Sequence, residues 1–127
     1  MVLQRKENIV VKKADGFSDR IIKMFKCLSS EREENIMSKQ ILRSGTSIGA
    51  NITESINAQS PADFINKLNI SLKEADETYY WLKKLRAGDY ITEKEFTSME
   101  RDNVEIIKLL TSIIKTKKQN METSSQL

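Results

Sequence analysis

The chain has 127 residues, 31% of them charged, with four glycines, one proline and no histidine. That length allows one domain with a real core, and so few turn residues exclude a sandwich or barrel, which needs a turn about every 8–12 residues. A formal net charge of +3 suits a solvated surface and excludes little, since phosphate contacts need only a local cluster of Lys and Arg.

Residues 1–8 are polar and are expected to be a flexible N-terminus, followed by a helical domain over 9–118. From Ile9, Val10, Ala14, Phe17, Ile21, Met24 and Leu28 step by four and three, which is one stripe of an α-helix. Val11, Ile22 and Phe25 widen the stripe, and Lys12, Lys23 and Lys26 face away with Asp15 and Asp19. The polar stretch Ser29 to Asn35 has the length of an antiparallel return.

A second helix is expected from about Ile36 to Asn57. Ile41, Gly45, Ile48 and Ile52 share a face, flanked by Leu42, Gly49 and Ile56. Two helical glycines cost about 2 kcal/mol relative to alanine. Gly45 and Gly49 lie one above the other, so the offsetting gain expected of them is close approach of another helix. The other side is small as well, with Thr46, Ser47, Ala50 and Thr53, and Arg43 is its main long side chain. This helix is therefore expected to pack on two sides.

The third helix has the clearest punctuation. Ser60 suits an N-cap, Pro61 the first helical position, and Asp63 the positive helix end. Ile65, Leu68, Leu72, Ala75, Tyr79 and Leu82 form its stripe, with Phe64 beside it and Gly88 as the stop signal after Arg86. A second stripe of Ile70, Glu74, Glu77 and Trp81 lies nearly opposite. Trp81 there either anchors a subunit interface or caps the chain's own core. The fourth helix opens with the capping box Thr92–Glu95. Phe96, Met99, Asn103, Ile106, Leu110 and Ile113 make its stripe, with Ile107 and Ile114 on the edge. It fades at Lys115, Lys117 and Lys118, and residues 119–127 read as a disordered tail. Four amphipathic helices joined by short connections predict an all-α, up-down-up-down antiparallel four-helix bundle.

Most catalytic chemistry is missing from the sequence. Without histidine there is no Ser-His-Asp triad, no His-based zinc site and no Glu-x-x-His di-iron motif. Glu54, Glu74 and Glu77 could make an all-carboxylate cation site only by leaving ordinary surface roles. Gly45 and Gly49 do not fit a phosphate loop, because Ala50 and Asn51 follow the second glycine. No catalytic, cofactor or metal residue is nominated, and the chain is expected not to be an enzyme. Asn51 and Glu54 are expected as buried polar residues that fix register, with Lys73, Glu77 or Tyr80 of the third helix, or polar groups of a neighbouring subunit, as partners. The lone Cys27 excludes an intrachain disulfide and suits a reducing compartment. No stretch approaches the ~18 apolar residues of a membrane span and no apolar run of signal-peptide type opens the chain, so the expected location is the cytoplasm.

Three blocks carry a resemblance: Ser44 to Glu54 (SGTSIGANITE), Asp63 to Ile70 (DFINKLNI) and Lys73 to Leu82 (KEADETYYWL). In this order and spacing they resemble the bacterial four-helix bundle family whose founding members are encoded in intervening sequences of the large-subunit ribosomal RNA gene. The resemblance implies an up-down bundle assembling as a ring, typically a homopentamer. It also implies kinship with the accessory protein of diversity-generating retroelements, a basic pentameric barrel that works with a reverse transcriptase and binds nucleic acid. It supplies no catalytic residues.

Two functions are expected on these grounds. One is a non-enzymatic, ring-forming bundle that binds RNA or a nucleic-acid enzyme through a basic surface, for which Arg43, Lys67, Lys84, Arg86, Lys115, Lys117 and Lys118 are the candidates. The other is a protein-interaction scaffold with no nucleic-acid role. For the contact between copies the candidates are Thr46, Ser47, Ala50, Ile70, Glu74, Glu77 and Trp81.

Overall fold

The structure is a computed structural model and describes residues 5–126. Helix α1 spans Arg5–Ser30, α2 Met37–Ile56, α3 Pro61–Ala87 and α4 Glu93–Gln126. Each helix packs on its two neighbours in a closed cycle, and among the described residues no diagonal pair brings its backbones close. The cross-contacts run in opposite senses along every pair. Ile21 faces Gly45 while Ala14 faces Gly49, and Glu54 pairs with Lys67 while Arg43 pairs with Glu77. All four seams are therefore antiparallel, and the fold is the expected up-down-up-down bundle.

The helix ends follow local chemistry. Asp63 N–H donates to Ser60 Oγ at 3.0 Å, with Pro61 in the first turn. Thr92 and Glu95 satisfy each other's backbone N–H at 2.8 and 3.1 Å, closing the capping box. The start of α2 was not legible in this way. Ile36 precedes the helix and is 77% exposed, and Glu34 does the capping. Its buried carboxylate accepts from Ser38 N at 2.7 Å and Ile36 N at 3.2 Å, at the end of the helix that favours an anion. At the end of α3, Gly88 keeps an ordinary φ of −85°, and Asp89 takes the left-handed conformation with φ 62°. Gly88 is needed for room instead: a Cβ there would stand 3.0 Å from the Tyr90 ring.

The two ends of the chain differ from expectation. Residues 5–8 begin α1, and 1–4 lie outside the described residues. The tail expected over 119–127 is helical as far as Gln126, and 127 lies outside the description. Met121 stands seven residues after Ile114 and is half-buried against the core, so the apolar stripe continues past the lysines.

The core is mostly aliphatic, with Ile21, Leu28, Ile41, Ile48, Leu68, Leu82, Leu85, Ile106 and Leu110 almost wholly buried together with the aromatic Phe17. Each such side chain contributes about 1.5–3 kcal/mol by leaving water. The third helix is rotated relative to its apolar stripe. Tyr79 is 37% exposed, while Ser71 and Thr78 are fully buried. These small hydroxyls let α3 lie close to α2, and both are satisfied there. Ser71 Oγ donates to Ile48 O at 2.8 Å, and Thr78 Oγ1 shares a 2.9 Å hydrogen bond with Ser44 Oγ. Among the described residues no helix is long and apolar enough to cross a membrane.

Candidate interaction surfaces

On the α1 side of α2, a Cβ on Gly45 would stand 2.7 Å from Ile21 Cγ1, inside any real contact. At Gly49 it would meet Ser18 Oγ at 3.3 Å and the backbone of Ala14 at 3.6 Å. The glycines thus let α1 approach α2, as their stacking in sequence predicts. Beyond Gly49 the two helices leave a groove of about 290 Å³ lined by Val11, Asp15, Ser18, Ala50 and Thr53.

The other long face of α2 meets α3. Arg43 reaches across to Glu74 at 3.1 Å and pairs with Glu77. Desolvation works against the Arg43 charge, but the hydrogen bonds and charges of Glu77 and Glu74 outweigh it and hold its pKa above the ordinary value. Glu77 also accepts from Trp81 Nε1 at 3.4 Å. Trp81 is half-buried, its body packed on the core and its edge left at the surface. Ile70, Thr46 and Ser47 are half-buried too, and Ala50 is exposed. The hydroxyls of Thr46 and Ser47 donate at 2.6 Å to carbonyls of their own helix, at Leu42 and Arg43. The result is a face with small or internally satisfied side chains toward Ile70 and one half-buried aromatic further along α3, next to the Arg43–Glu77 pair.

Asn51 and Glu54 are not the buried residues expected. The Asn51 amide is half-buried and donates to Ser47 O of its own helix at 2.9 Å. Glu54 is 59% exposed and pairs with Lys67 at 3.0 Å. Both positions point out of the α2 core stripe, so neither faces the buried seam. The polar groups that fix register are Ser44, Ser71, Thr78 and Asn103, whose amide donates to Ala75 O at 3.0 Å while the residue is 1% exposed. Glu74 and Glu77 converge on Arg43 and Glu54 on Lys67, so the three carboxylates are divided between two side-chain cations and do not converge on one site.

The seven basic candidates divide between the two ends of the bundle. Arg43 is ion-paired, and Arg86 binds Glu93 at 2.9 Å and Asp89 at 3.0 Å. The Glu93 hydrogen bond chiefly raises the Arg86 pKa, as that of Glu54 does for Lys67. Lys84 stands 5.3 Å over the Tyr80 ring at the same end. At the opposite end, Lys117 stands 4.9 Å over Phe64. Lys115 and Lys118 are exposed and make no ion pair among the described residues.

The α1–α4 seam holds a feature absent from the candidates. Lys6 donates to Ser112 Oγ at 2.7 Å, Lys13 pairs with Glu105 at 2.7 Å, and Arg20 binds Ser98 Oγ at 2.8 Å and the Asp102 carboxylate. Lys6, Lys13 and Arg20 are seven apart, and so are Ser112, Glu105 and Ser98. The pairs therefore form a ladder on the outer edge of an antiparallel seam. The heptad spacing was readable in sequence once the two helices were known to be neighbours.

Residues 6–112 match the model of the family described as 23S rRNA-intervening sequence protein. The chain is also similar to a crystal structure of a protein with unknown function from the S23 ribosomal protein family of Bacteroides thetaiotaomicron VPI-5482. That match is 58% identical, has a TM-score of 0.86, and covers 87% of this chain and 98% of the other. No curated protein matches. With a family match over most of the chain and the same bundle in a relative at this identity, the protein belongs to the 23S rRNA-intervening sequence protein family.

Proposed function

We propose that this protein is a non-enzymatic bundle that works by assembling with copies of itself, through the face shared by α2 and α3. The observation that carries this reading is Trp81. It is half-buried one turn beyond Glu77, on the face that also carries Ile70 and, on α2, a run of small side chains further along, and Arg43 neutralises Glu74 and Glu77. Aromatic anchors framed by such groups are enriched in interfaces. The lack of histidine supports a non-catalytic role. The family resemblance suggests a closed ring of five. The test is solution mass by light scattering. A value several times the 14.6 kDa of one chain is expected, and Trp81→Ala or Ala50→Glu should reduce it. A strictly monomeric wild type overturns the reading.

A second reading is favoured by the lysines that make no ion pair: Lys84, Lys115 and Lys118, together with Lys117 over Phe64. These serve a nucleic-acid phosphate backbone, with salt-sensitive affinity and little sequence preference. Titration of structured RNA at low and high salt tests it, and no binding at low salt overturns it. In that case the protein is a protein-interaction scaffold alone, in the cytoplasm.

A further inference from the structure

The outer surface of α3, near its C-terminal end, carries more exposed aromatic area than the core requires. Tyr79 is 37% exposed and Tyr80 46%. Tyr79 is continued inward by Phe96, with ring centroids 6.4 Å apart. Tyr80 is continued by Trp81, at 5.0 Å and nearly edge-on. Phe96 and Trp81 are half-buried and tied to the core, so they fix the two tyrosines from either side of the helix. Four rings thus form a ledge running across α3.

Two lysines accompany the ledge. Lys83 Nζ stands 4.8 Å over Tyr79 and Lys84 Nζ 5.3 Å over Tyr80. Neither ammonium has an acidic partner among the described residues, whereas Arg86, two positions after Lys84, has two. On this outer strip Lys73, Lys83 and Lys84 face solvent with Asp76 as their acidic neighbour. An assembly contact alone would favour burying the rings with their charges matched. Here π-faces alternate with unmatched cations.

We infer that the Tyr79–Tyr80 ledge with Lys83 and Lys84 is a stacking site for the bases of a single-stranded polynucleotide. Each tyrosine offers a base a flat face, and every base has one, so the site takes single strands with little sequence preference. The adjacent ammonium moves from the ring to the phosphate of the stacked nucleotide. A duplex, with its bases already stacked, gains only the lysine contacts. The inference rests on the nucleic-acid reading above but places the contact at the opposite end of the bundle from Lys115, Lys117 and Lys118.

The experiment is a fluorescence-anisotropy titration of the full-length protein with labelled oligo-uridylate, oligo-thymidylate and a mixed-sequence duplex of the same length. The comparison set is wild type, Tyr79→Ala/Tyr80→Ala, Tyr79→Phe/Tyr80→Phe, and Lys115→Ala/Lys117→Ala/Lys118→Ala. The alanine pair should weaken single-strand binding roughly five- to a hundred-fold and leave duplex binding nearly unchanged. The phenylalanine pair, which keeps both π-faces and tests folding, should bind as wild type. The uridylate and thymidylate arms say whether RNA or DNA is preferred. If single strands bind the alanine pair as well as wild type but bind the triple lysine variant poorly, the ledge is overturned while the nucleic-acid reading stands. If no probe binds wild type at low salt, both fail. If the alanine pair changes solution mass and not nucleic-acid binding, the ledge is a contact between copies and the inference is overturned.

Discussion

The α2–α3 and α1–α4 seams join antiparallel helices of the same bundle by different means. Between α2 and α3 the contact is the most extensive in the molecule, and its centre is buried. Ser44, Ser71 and Thr78 are small enough to let the backbones approach, and each hydroxyl finds a partner. Between α1 and α4 the contact is the sparsest. Part-exposed rungs at Lys6, Lys13 and Arg20 close it from outside, and a cleft of about 330 Å³ lies beyond Arg20. Part-exposed ion pairs are screened by salt and contribute about 0–1 kcal/mol each. The α2–α3 seam carries such pairs too, at Arg43 and Lys67, but they flank buried small-residue packing that does not depend on salt in this way. The difference teaches that the bundle is a firm α2–α3 hairpin with a weaker closure, so local opening should begin at α1–α4.

The largest expected effect tests the firm side. Ile48 is fully buried on α2 and its carbonyl accepts the Ser71 hydroxyl. Ile48→Ala should cost about 2–5 kcal/mol in urea unfolding. A cost below about 1 kcal/mol would mean that this seam is not tightly packed.

The polar part of the same seam is tested next. Thr78→Val removes the hydroxyl shared with Ser44 and strands a buried partner, at about 1–3 kcal/mol. Adding Ser44→Ala should recover part of that loss, since neither group is then left unsatisfied. Strict additivity in the double-mutant cycle would show that the two hydroxyls do not act together.

The glycines separate close approach from mere smallness. Gly45→Ala places a Cβ against Ile21 and should destabilise by about 1–2 kcal/mol even after the gain in helix propensity. Gly49→Ala meets the Ser18 hydroxyl, which has room to turn, so its change should be near zero or favourable. Equal effects at both sites would remove the distinction.

Much of this contrast was present in the sequence as pattern but not as partnership. Apolar periodicity located all four helices, and Ser60, Pro61 and the Thr92–Glu95 pair located two of their starts. The same periodicity placed Tyr79 inward and passed over Ser71 and Thr78, because a buried hydroxyl carries no hydrophobic signal. Asn51 looked like the costly buried amide, whereas Asn103 holds that place. Asn103 sits within the α4 stripe and Asn51 beside that of α2, and the rotation of each helix decides which amide is buried. Glu34 was unreadable as a cap because it stands two residues before the N-cap position, which Ile36 occupies, and reaches forward to it. The candidate surfaces were partly legible: Trp81 meets Glu77, which with Glu74 pairs with Arg43, while the small residues of α2 lie further along the same face. The basic residues do not gather, since their neighbours in space, and not their spacing in sequence, decide which are neutralised.

The weaker seam is tested by salt. In hydrogen exchange, raising ionic strength from about 0.1 to 1 M shortens the Debye length from about 10 to 3 Å. Amides of α1 and α4 should then lose protection, by up to about tenfold, while those of α2 and α3, whose ion pairs flank a buried seam, should lose less. Glu105→Gln, which removes the Lys13 rung, should reduce that salt response. A uniform response across the four helices would break the comparison.

The smallest effect reads the far end of the same seam. Cys27 lies seven residues after Arg20, on the wall of the cleft with Met24, Glu95 and Met99. It is exposed, and its thiol donates to the Glu31 carboxylate at 3.4 Å. That hydrogen bond is the largest cause of a raised thiol pKa, and burial and the charges of Glu31 and Glu95 add to it. The raised pKa favours the protonated thiol in the fold. Its stabilisation is present below the unfolded thiol pKa and is lost as pH rises through the folded value. Only the thiolate reacts with iodoacetamide, so near pH 8 Cys27 should react a few-fold more slowly than the thiol of the unfolded chain. Glu31→Ala should restore the rate, since it removes both the acceptor and its charge. Salt should also raise the rate, through screening of Glu31 and Glu95. Because Glu95 belongs to α4, Glu95→Gln separates the two contributions. A faster reaction in that variant places the field of α4 on the thiol, whereas an unchanged rate leaves Cys27 governed by α1 alone and ends the ladder at Arg20.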